Sequence, residues 1–288
     1  MSDANLTFID LFAGAGGLSL GLEYGGFKPV FVNELNEDAM ETYLMNRRSQ
    51  FPYLDEFHDF DIKNIITTKN INKLKDGLKS SHGIDFRNHD LDLIAGGPPC
   101  QGYSGIGHRR SYSVSKKEIP SNFLYQDMIT LIKKLQPKLF LFENVKGIKY
   151  FEKWEEIFRA FSGIRNYEVA TELVLSKSYG APQNRPRIFI IGAHKGLGKK
   201  PEEFDILPAG GFLPERTDDY PNISELLNDI IDDDYINGGE TRKYPKSAIT
   251  NQQKKLRENP INGKCYRKGS SLSEHKYTKH SEKIIRKF

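Results

Sequence analysis

The segment LTFIDLFAGAGG, residues Leu6–Gly17, restricts the possible folds more than any other part of this sequence. The near-continuous apolar run Leu6–Phe12 has the length and two-sided hydrophobicity of a strand buried within a sheet. It breaks at once into glycines, and GGLSLGLEYGG (Gly16–Gly26) then reads as a helix bounded by them. A buried strand turning through glycine into a helix is the opening of a βαβ unit. The alternation continues along the chain. KPVFVNE (Lys28–Glu34) is the next strand, and NEDAMETYLMNR (Asn36–Arg47) a helix with Asn36 placed to cap it. DLDLIAGG (Asp90–Gly97) and KLFLFENV (Lys138–Val145) are strands on either side of the helical NFLYQDMITLIKKLQP (Asn122–Pro137). Tyr167–Ser176 and Pro186–His194 complete the set. The expected fold is α/β: a doubly wound, mostly parallel sheet with helices on both faces.

Beyond Lys195 the pattern weakens into Gly-, Pro- and charge-rich sequence. One amphipathic segment follows at Ile223–Asp233, and the last 14 residues, HKYTKHSEKIIRKF, read as a basic helix. This region is too poor in apolar periodicity for a full second core. No apolar run approaches the roughly 20 residues of a membrane helix, and the N-terminus lacks the pattern of a signal peptide. Two distant cysteines, Cys100 and Cys265, exclude a disulfide framework or a repeated metal spacing and point to a reducing cytosol. A net charge of +4 permits a polyanionic partner.

The glycine turn belongs to the Rossmann-like arrangement, in which a nucleotide-bearing ligand approaches bare backbone at the end of the first strand. A dinucleotide fingerprint starting at Gly14 would need a third glycine where the chain has Ser19, so a nicotinamide dehydrogenase is disfavoured. Glu34 ends the second strand 20 residues after Gly14, where a carboxylate can accept from ribose hydroxyls. Asp61 and Ile62, at the end of an expected third strand, could meet an adenine amino group and ring.

Cys100 stands in GGPPCQGYS. Prolines 98 and 99 remove two donors and stiffen the path, so the strand stops and the sulfur is held at the carboxyl edge of the sheet. A thiol that only packs is the alternative. Glu143 ends KLFLFENV at the same edge, and its apolar approach predicts a carboxyl with a raised pKa that can donate a proton. In SYGAPQNRPRIFIIG, Arg185 and Arg187 share a side if extended. Gly102–Asn122 is glycine-hinged and basic, suited to a mobile lid.

Taken in order, DLFAGAGG, Asn33–Glu34, Asp61–Ile62, GGPPCQGYS, ENV and QNRPR resemble the cytosine-5 DNA methyltransferase family over roughly residues 6–192. The resemblance implies transfer of a methyl group from S-adenosyl-L-methionine to cytosine in double-stranded DNA. It makes Cys100 the nucleophile on a flipped-out base, and Glu143, Arg187 and Arg185 the residues that hold that base and its surroundings. It implies a cofactor pocket of Phe12, Gly14, Ala15, Gly16, Gly17, Glu34, Leu35, Asp61, Ile62, Pro98 and Leu124, with Asp10 and Asn144 as support and no metal. Residues 1–195 would form the cofactor-binding catalytic domain, in a bacterial cytoplasm at the nucleoid. Residues 196–288 would be a linker and the start of an incomplete target-recognition region. The family's later arginine-rich and GN-containing motifs do not occur here. The expectation is a shortened chain or one subunit of a split enzyme, with a second polypeptide supplying the rest. An RNA-directed relative and a cofactor-binding half-enzyme are the alternative readings.

Overall fold

The computed structural model describes residues 6–99, 120–150, 154–197, 213–217, 219–258 and 265–285. The chain divides into two compact units, Met1–Leu175 with Arg185–Glu215, and Ser176–Asn184 with Arg216–Phe288.

The first unit is built on a seven-stranded sheet. Its strands are β1 (Leu6–Leu11), β2 (Phe27–Asn33), β3 (His58–Asp59), β4 (Leu93–Gly96), β5 (Leu139–Val145), β6 (Tyr167–Leu175) and β7 (Pro186–His194), in the order β3-β2-β1-β4-β5-β7-β6. The first five pair in parallel, while β7 runs antiparallel to both β5 and β6. A short connection can return only an antiparallel strand, and β6 and β7 are close in sequence. The mostly parallel, doubly wound sheet expected from the sequence is present.

Helices α1 (Gly17–Tyr24) and α2 (Glu37–Arg47) cover one face. Helices α4 (Thr68–His82), α5 (Leu124–Leu135) and α6 (Trp154–Ser162) cover the other, with the single turn α3 (Ile62–Ile65) before α4. The alternation of β1 divides its side chains between the two faces. Ile9 and Leu11 join the main core with Ile94, Phe140, Phe142, Met128 and Phe161, whereas Phe8 packs with Leu93, Leu18 and Leu22 on the α1 side. Asn36 caps α2, its side chain accepting from the Ala39 N–H at 2.8 Å.

Several sequence expectations need correction. The third strand is only two residues long, and Asp61 lies past its end as the N-cap of α3, accepting from the Lys63 N–H at 2.9 Å. Helices α4 and α6 carry no expectation from the sequence. In the second unit, the amphipathic run from Ile223 forms only α7 (Ile223–Leu227) and a 3-10 turn. The basic tail is non-helical until α9 (Glu282–Ile285), because Lys276 bridges to Glu240 and Tyr277 bonds the Gly239 carbonyl. Helix α8 (Asn251–Leu256) begins with a capping box at Thr250. Among the described residues, Leu226 is the one buried apolar side chain of this unit. Polar contacts replace a core: Arg257 reaches the buried Asp229 through two bonds of 2.8 and 2.9 Å and lies over the Tyr244 ring.

Candidate active site

The register of the sheet assembles the site. Leu11 pairs with Asn33 and with Gly96, and Gly96 with Phe142. One step further along each strand, Phe12, Glu34, Gly97 and Glu143 therefore emerge at one level along the carboxyl edge. The chain order reverses between β1 and β4. Such a switch point opens a crevice at the carboxyl ends of the strands.

At the cofactor end, Gly14 and Gly16 have φ of +57° and +94°, a left-handed backbone that glycine adopts without cost. Phe12 also has positive φ, +59°, an uncommon state for a large side chain and a mark of a constrained turn. A Cβ added at Gly14 or Gly17 would meet nothing within 4 Å, so open space fronts the turn. Glu34 holds it from the sheet side: Oε2 accepts from the Gly14 N–H at 2.8 Å, and Oε1 from the Asn36 N–H at 2.8 Å. Beside it Leu35 is 72% exposed, an apolar side chain displayed next to a carboxylate. Ala15 is exposed, whereas Ile62 is buried in the main core, with Leu124 packed against that core. An ion pair of 2.7 Å from Lys63 to Asp127 ties the Asp61–Ile62 turn to α5, one turn beyond Leu124.

Behind the glycines lies a buried polar chain. Asp10 is fully buried and accepts from the Ser19 hydroxyl, which also meets the Tyr43 hydroxyl at 2.8 Å. Burial raises the Asp10 pKa to about 7, against the opposing pull of Ser19 and of the Arg47 charge. Ser19, the residue that breaks a dinucleotide fingerprint, is thus the donor that the buried Asp10 needs. Sequence reasoning missed Tyr43 and Arg47. Both lie on a helix whose spacing reveals no site, and only the packing of α2 on the glycine turn brings them there.

At the chemical end, Glu143 sits against Gly97, where an added Cβ would come 3.1 Å from its Oε2. Arg187, on the antiparallel β7, donates from Nε to Glu143 Oε1 at 2.7 Å. Burial raises the Glu143 pKa, and the charges of Arg187 and then Arg185 draw it back. The charges of both arginines thus act on one carboxyl. The next residue, Asn144, is buried and donates to the Pro98 carbonyl at 3.2 Å, while its own oxygen accepts from the Val145 N–H at 2.9 Å. The path of the buried Pro98 toward Cys100 is thereby tied to β5. Cys100 and all of the expected lid except residues 120–122 lie outside the described residues. The described residues hold no cluster of metal-binding side chains.

This arrangement holds a half-buried carboxyl, its pKa raised by burial, against a guanidinium at one end of a crevice, and presents bare backbone and a second carboxylate at the other. Known proteins resemble this chain in sequence and fold. The putative type II methyltransferase M.MjaORF1200P of Methanocaldococcus jannaschii is 30% identical over 75% of this chain and 68% of its own length. Type II methyltransferase M.DdeI of Desulfomicrobium norvegicum is 29% identical over 98% of this chain and 60% of its own. The chain spans 41% of a third relative, M.XorII of Xanthomonas oryzae, at 34% identity over 66% of this chain. Among solved structures, a putative DNA modification methyltransferase encoded within an E. coli prophage superimposes with a TM-score of 0.57 at 28% identity, covering 86% of this chain and 61% of that one. The methyltransferase EhMeth of Entamoeba histolytica shares the fold, with a TM-score of 0.51 at 18% identity over 82% of this chain and 63% of its own. With its sequence matched from residue 6 to 288 by the model for C-5 cytosine-specific DNA methylases, this chain belongs to that family.

Proposed function

We propose that this chain transfers a methyl group from S-adenosyl-L-methionine to carbon 5 of cytosine in double-stranded DNA, through a covalent adduct of Cys100 with a base turned out of the duplex. The observation that carries this reading is the alignment of Glu34 and Glu143 along one sheet edge, the latter paired with Arg187 at 2.7 Å and with its pKa raised by burial.

The residues present fit the cofactor. The space in front of Gly14 and Gly17 is open, and Leu35 offers an exposed apolar surface. Each carboxylate oxygen of Glu34 accepts one backbone N–H and has a further lone pair for a ribose hydroxyl. Gly14, Ala15, Gly16, Gly17, Glu34, Leu35, Asp61, Ile62, Pro98 and Leu124 would line its pocket, with Phe12 shaping the turn. When bound, S-adenosylmethionine supplies an electrophilic methyl group.

The rest of the chemistry is the chain's own. Carbon 5 of cytosine is a poor nucleophile until the Cys100 thiolate adds to carbon 6 and makes the ring enamine-like. Glu143, holding its proton to higher pH than an ordinary carboxyl, gives a hydrogen bond or proton to ring nitrogen 3 as that bond forms. A guanidinium has five donors. With Nε on Glu143 and Nη1 on the Pro186 carbonyl, Arg187 keeps capacity for the base carbonyl oxygen. Arg185 would meet a nearby phosphate or the Cys100 loop. The adduct closes by losing the carbon-5 proton to water or a base and expelling the thiolate. A stacked base exposes neither face, so the target must leave the helix, at a cost of a few kcal/mol. Charge supports a polyanionic partner: the second unit carries sixteen Lys and Arg against eleven Asp and Glu, a net +5, while the first unit is near neutral.

The test uses duplex DNA carrying 5-fluorocytosine, from which the last proton cannot be lost. The expected result is a denaturation-resistant protein–DNA adduct that requires S-adenosylmethionine and vanishes in Cys100→Ala. Adduct formation on structured RNA but not on DNA would move the assignment to an RNA substrate. An adduct that persists in Cys100→Ala would remove Cys100 as nucleophile.

A further inference from the structure

We propose that Arg47 is a positioning residue for the cofactor: its buried guanidinium holds the glycine turn open from behind. The inference rests on the cofactor reading above and concerns a residue outside the pocket. Arg47 ends α2 and is 5% exposed. Nη2 donates to the Gly16 carbonyl at 3.0 Å, and Nε to Glu23 Oε1, on α1, at 2.6 Å. The guanidinium carbon lies 3.9 Å from the centre of the Tyr43 ring, and Nη1 reaches the Tyr43 carbonyl at 3.4 Å. A Cβ at Gly16 would come 2.5 Å from Nη1 and 2.8 Å from Nη2, so the guanidinium occupies the space that a side chain at that glycine would need.

The Gly16 carbonyl also accepts the first bond of α1, from the Leu20 N–H at 3.0 Å. Its peptide is therefore gripped by the helix and the arginine together, with φ at +94°. Glu34 holds the other end of the same turn through the Gly14 N–H. Between these two anchors, Gly14 and Gly17 face open space while Gly16 is backed by Arg47 and Tyr43. Without Arg47, the Gly16 peptide would have neither its charged donor nor the ring-backed wall behind it. The turn could then relax toward commoner conformations and fill the space that the cofactor needs. Arg47 touches neither of the reacting partners, so its removal should act on cofactor binding and spare the chemical step.

The experiment measures, for the full chain, the dissociation constant of S-adenosylmethionine by calorimetry, that of duplex DNA, and kcat and KM for methyl transfer. Arg47→Met keeps side-chain volume and removes both the charge and the bond to Gly16. It should raise the cofactor Kd and KM by about ten- to a hundred-fold, the range for removing one bond to a charged group. The DNA Kd, and kcat at saturating cofactor, should stay within about three-fold. Glu23→Gln keeps an acceptor for Nε and leaves the Gly16 contact in place, so its cofactor Kd should change less than about three-fold. If Arg47→Met does not fold, Glu23→Leu/Arg47→Met removes both charges together and carries the same expectation. A folded Arg47 variant that binds cofactor like the wild type would overturn the proposal. So would Glu23→Gln weakening binding as much as Arg47→Met, since the ion pair alone would then explain the effect. A wild-type chain that binds no S-adenosylmethionine overturns the cofactor reading itself, and this inference with it.

Discussion

Asp10 is the residue whose environment has the clearest thermodynamic consequence. Its carboxyl is fully buried, one oxygen has no hydrogen-bond partner among the described residues, and its pKa is near 7 in place of the ordinary 3.8. Below the ordinary value the group is neutral in folded and unfolded chains alike, and the folded state keeps the full benefit. As pH rises from about 3.8 to about 7, the unfolded chain ionises freely while the folded chain resists, so stability drains away across that window. The shift corresponds to a contribution on the order of a few kcal/mol. Asp10→Asn can still accept from Ser19 and has no charge to bury. Urea unfolding at pH 4.5 and 7.5 should show wild type losing stability between the two relative to Asp10→Asn. Equal changes in both proteins would mean that Asp10 does not titrate in this range. Glu143 follows the same logic more weakly, because Arg187 and Arg185 oppose its desolvation. In both carboxyls burial is the largest influence, opposed at Asp10 first by the Ser19 hydrogen bond and at Glu143 first by the Arg187 charge.

Strand β5 is where core and chemistry meet. Its burial alternates, with Phe140, Phe142 and Asn144 buried and the intervening residues partly exposed. Phe140 stands opposite Gly192 of β7, and a Cβ at that glycine would come 2.0 Å from the ring. The ring fills the space that the missing side chain vacates and packs on Phe161 and Tyr167. Gly192→Ala should therefore destabilise the fold by about 1–3 kcal/mol through overpacking. Phe140→Ala should cost about 3–5 kcal/mol through the cavity it leaves. Denaturant midpoints would check both, and a neutral Gly192→Ala would mean that the ring can move aside. Because Glu143 and Asn144 continue the same strand, damage here should also shift the anchor on Pro98. Helix α4 shows why elements escape a reading by pattern. It buries only Ile71 and Leu78 along fifteen residues, and its ends are set by the Thr67 cap and the left-handed Gly83.

At the scale of the whole molecule, charge separates the two units. The second unit is positive by five, and its Lys254, Lys255, Arg267 and Lys268 are exposed. If these side chains neutralise phosphates, binding should release counterions and weaken as salt rises. Arg267→Gln/Lys268→Gln should then loosen DNA binding and flatten the slope of log K against log salt by about one for each phosphate no longer neutralised. An unchanged slope would place the phosphate-binding cations elsewhere. This unit is also the part least legible in the sequence, because apolar periodicity is the main signal and a unit held by capping boxes and the Asp229–Arg257 pair has little of it.

What the residues determined by themselves was local: strands that run apolar on both faces, a turn that only glycine can make, a diproline stop, and acids placed directly behind apolar runs. Those features were enough for a doubly wound sheet and for Glu34 and Glu143 along its carboxyl edge, because each is set by near neighbours in the chain. What only the tertiary structure decided was which distant groups share a space. It set Arg187 against Glu143 across an antiparallel pair, Asn144 under Pro98, and Arg47 behind Gly16. Pairing between remote strands and helices leaves no periodic trace, since it is chosen by the packing of the whole core and not by any one segment.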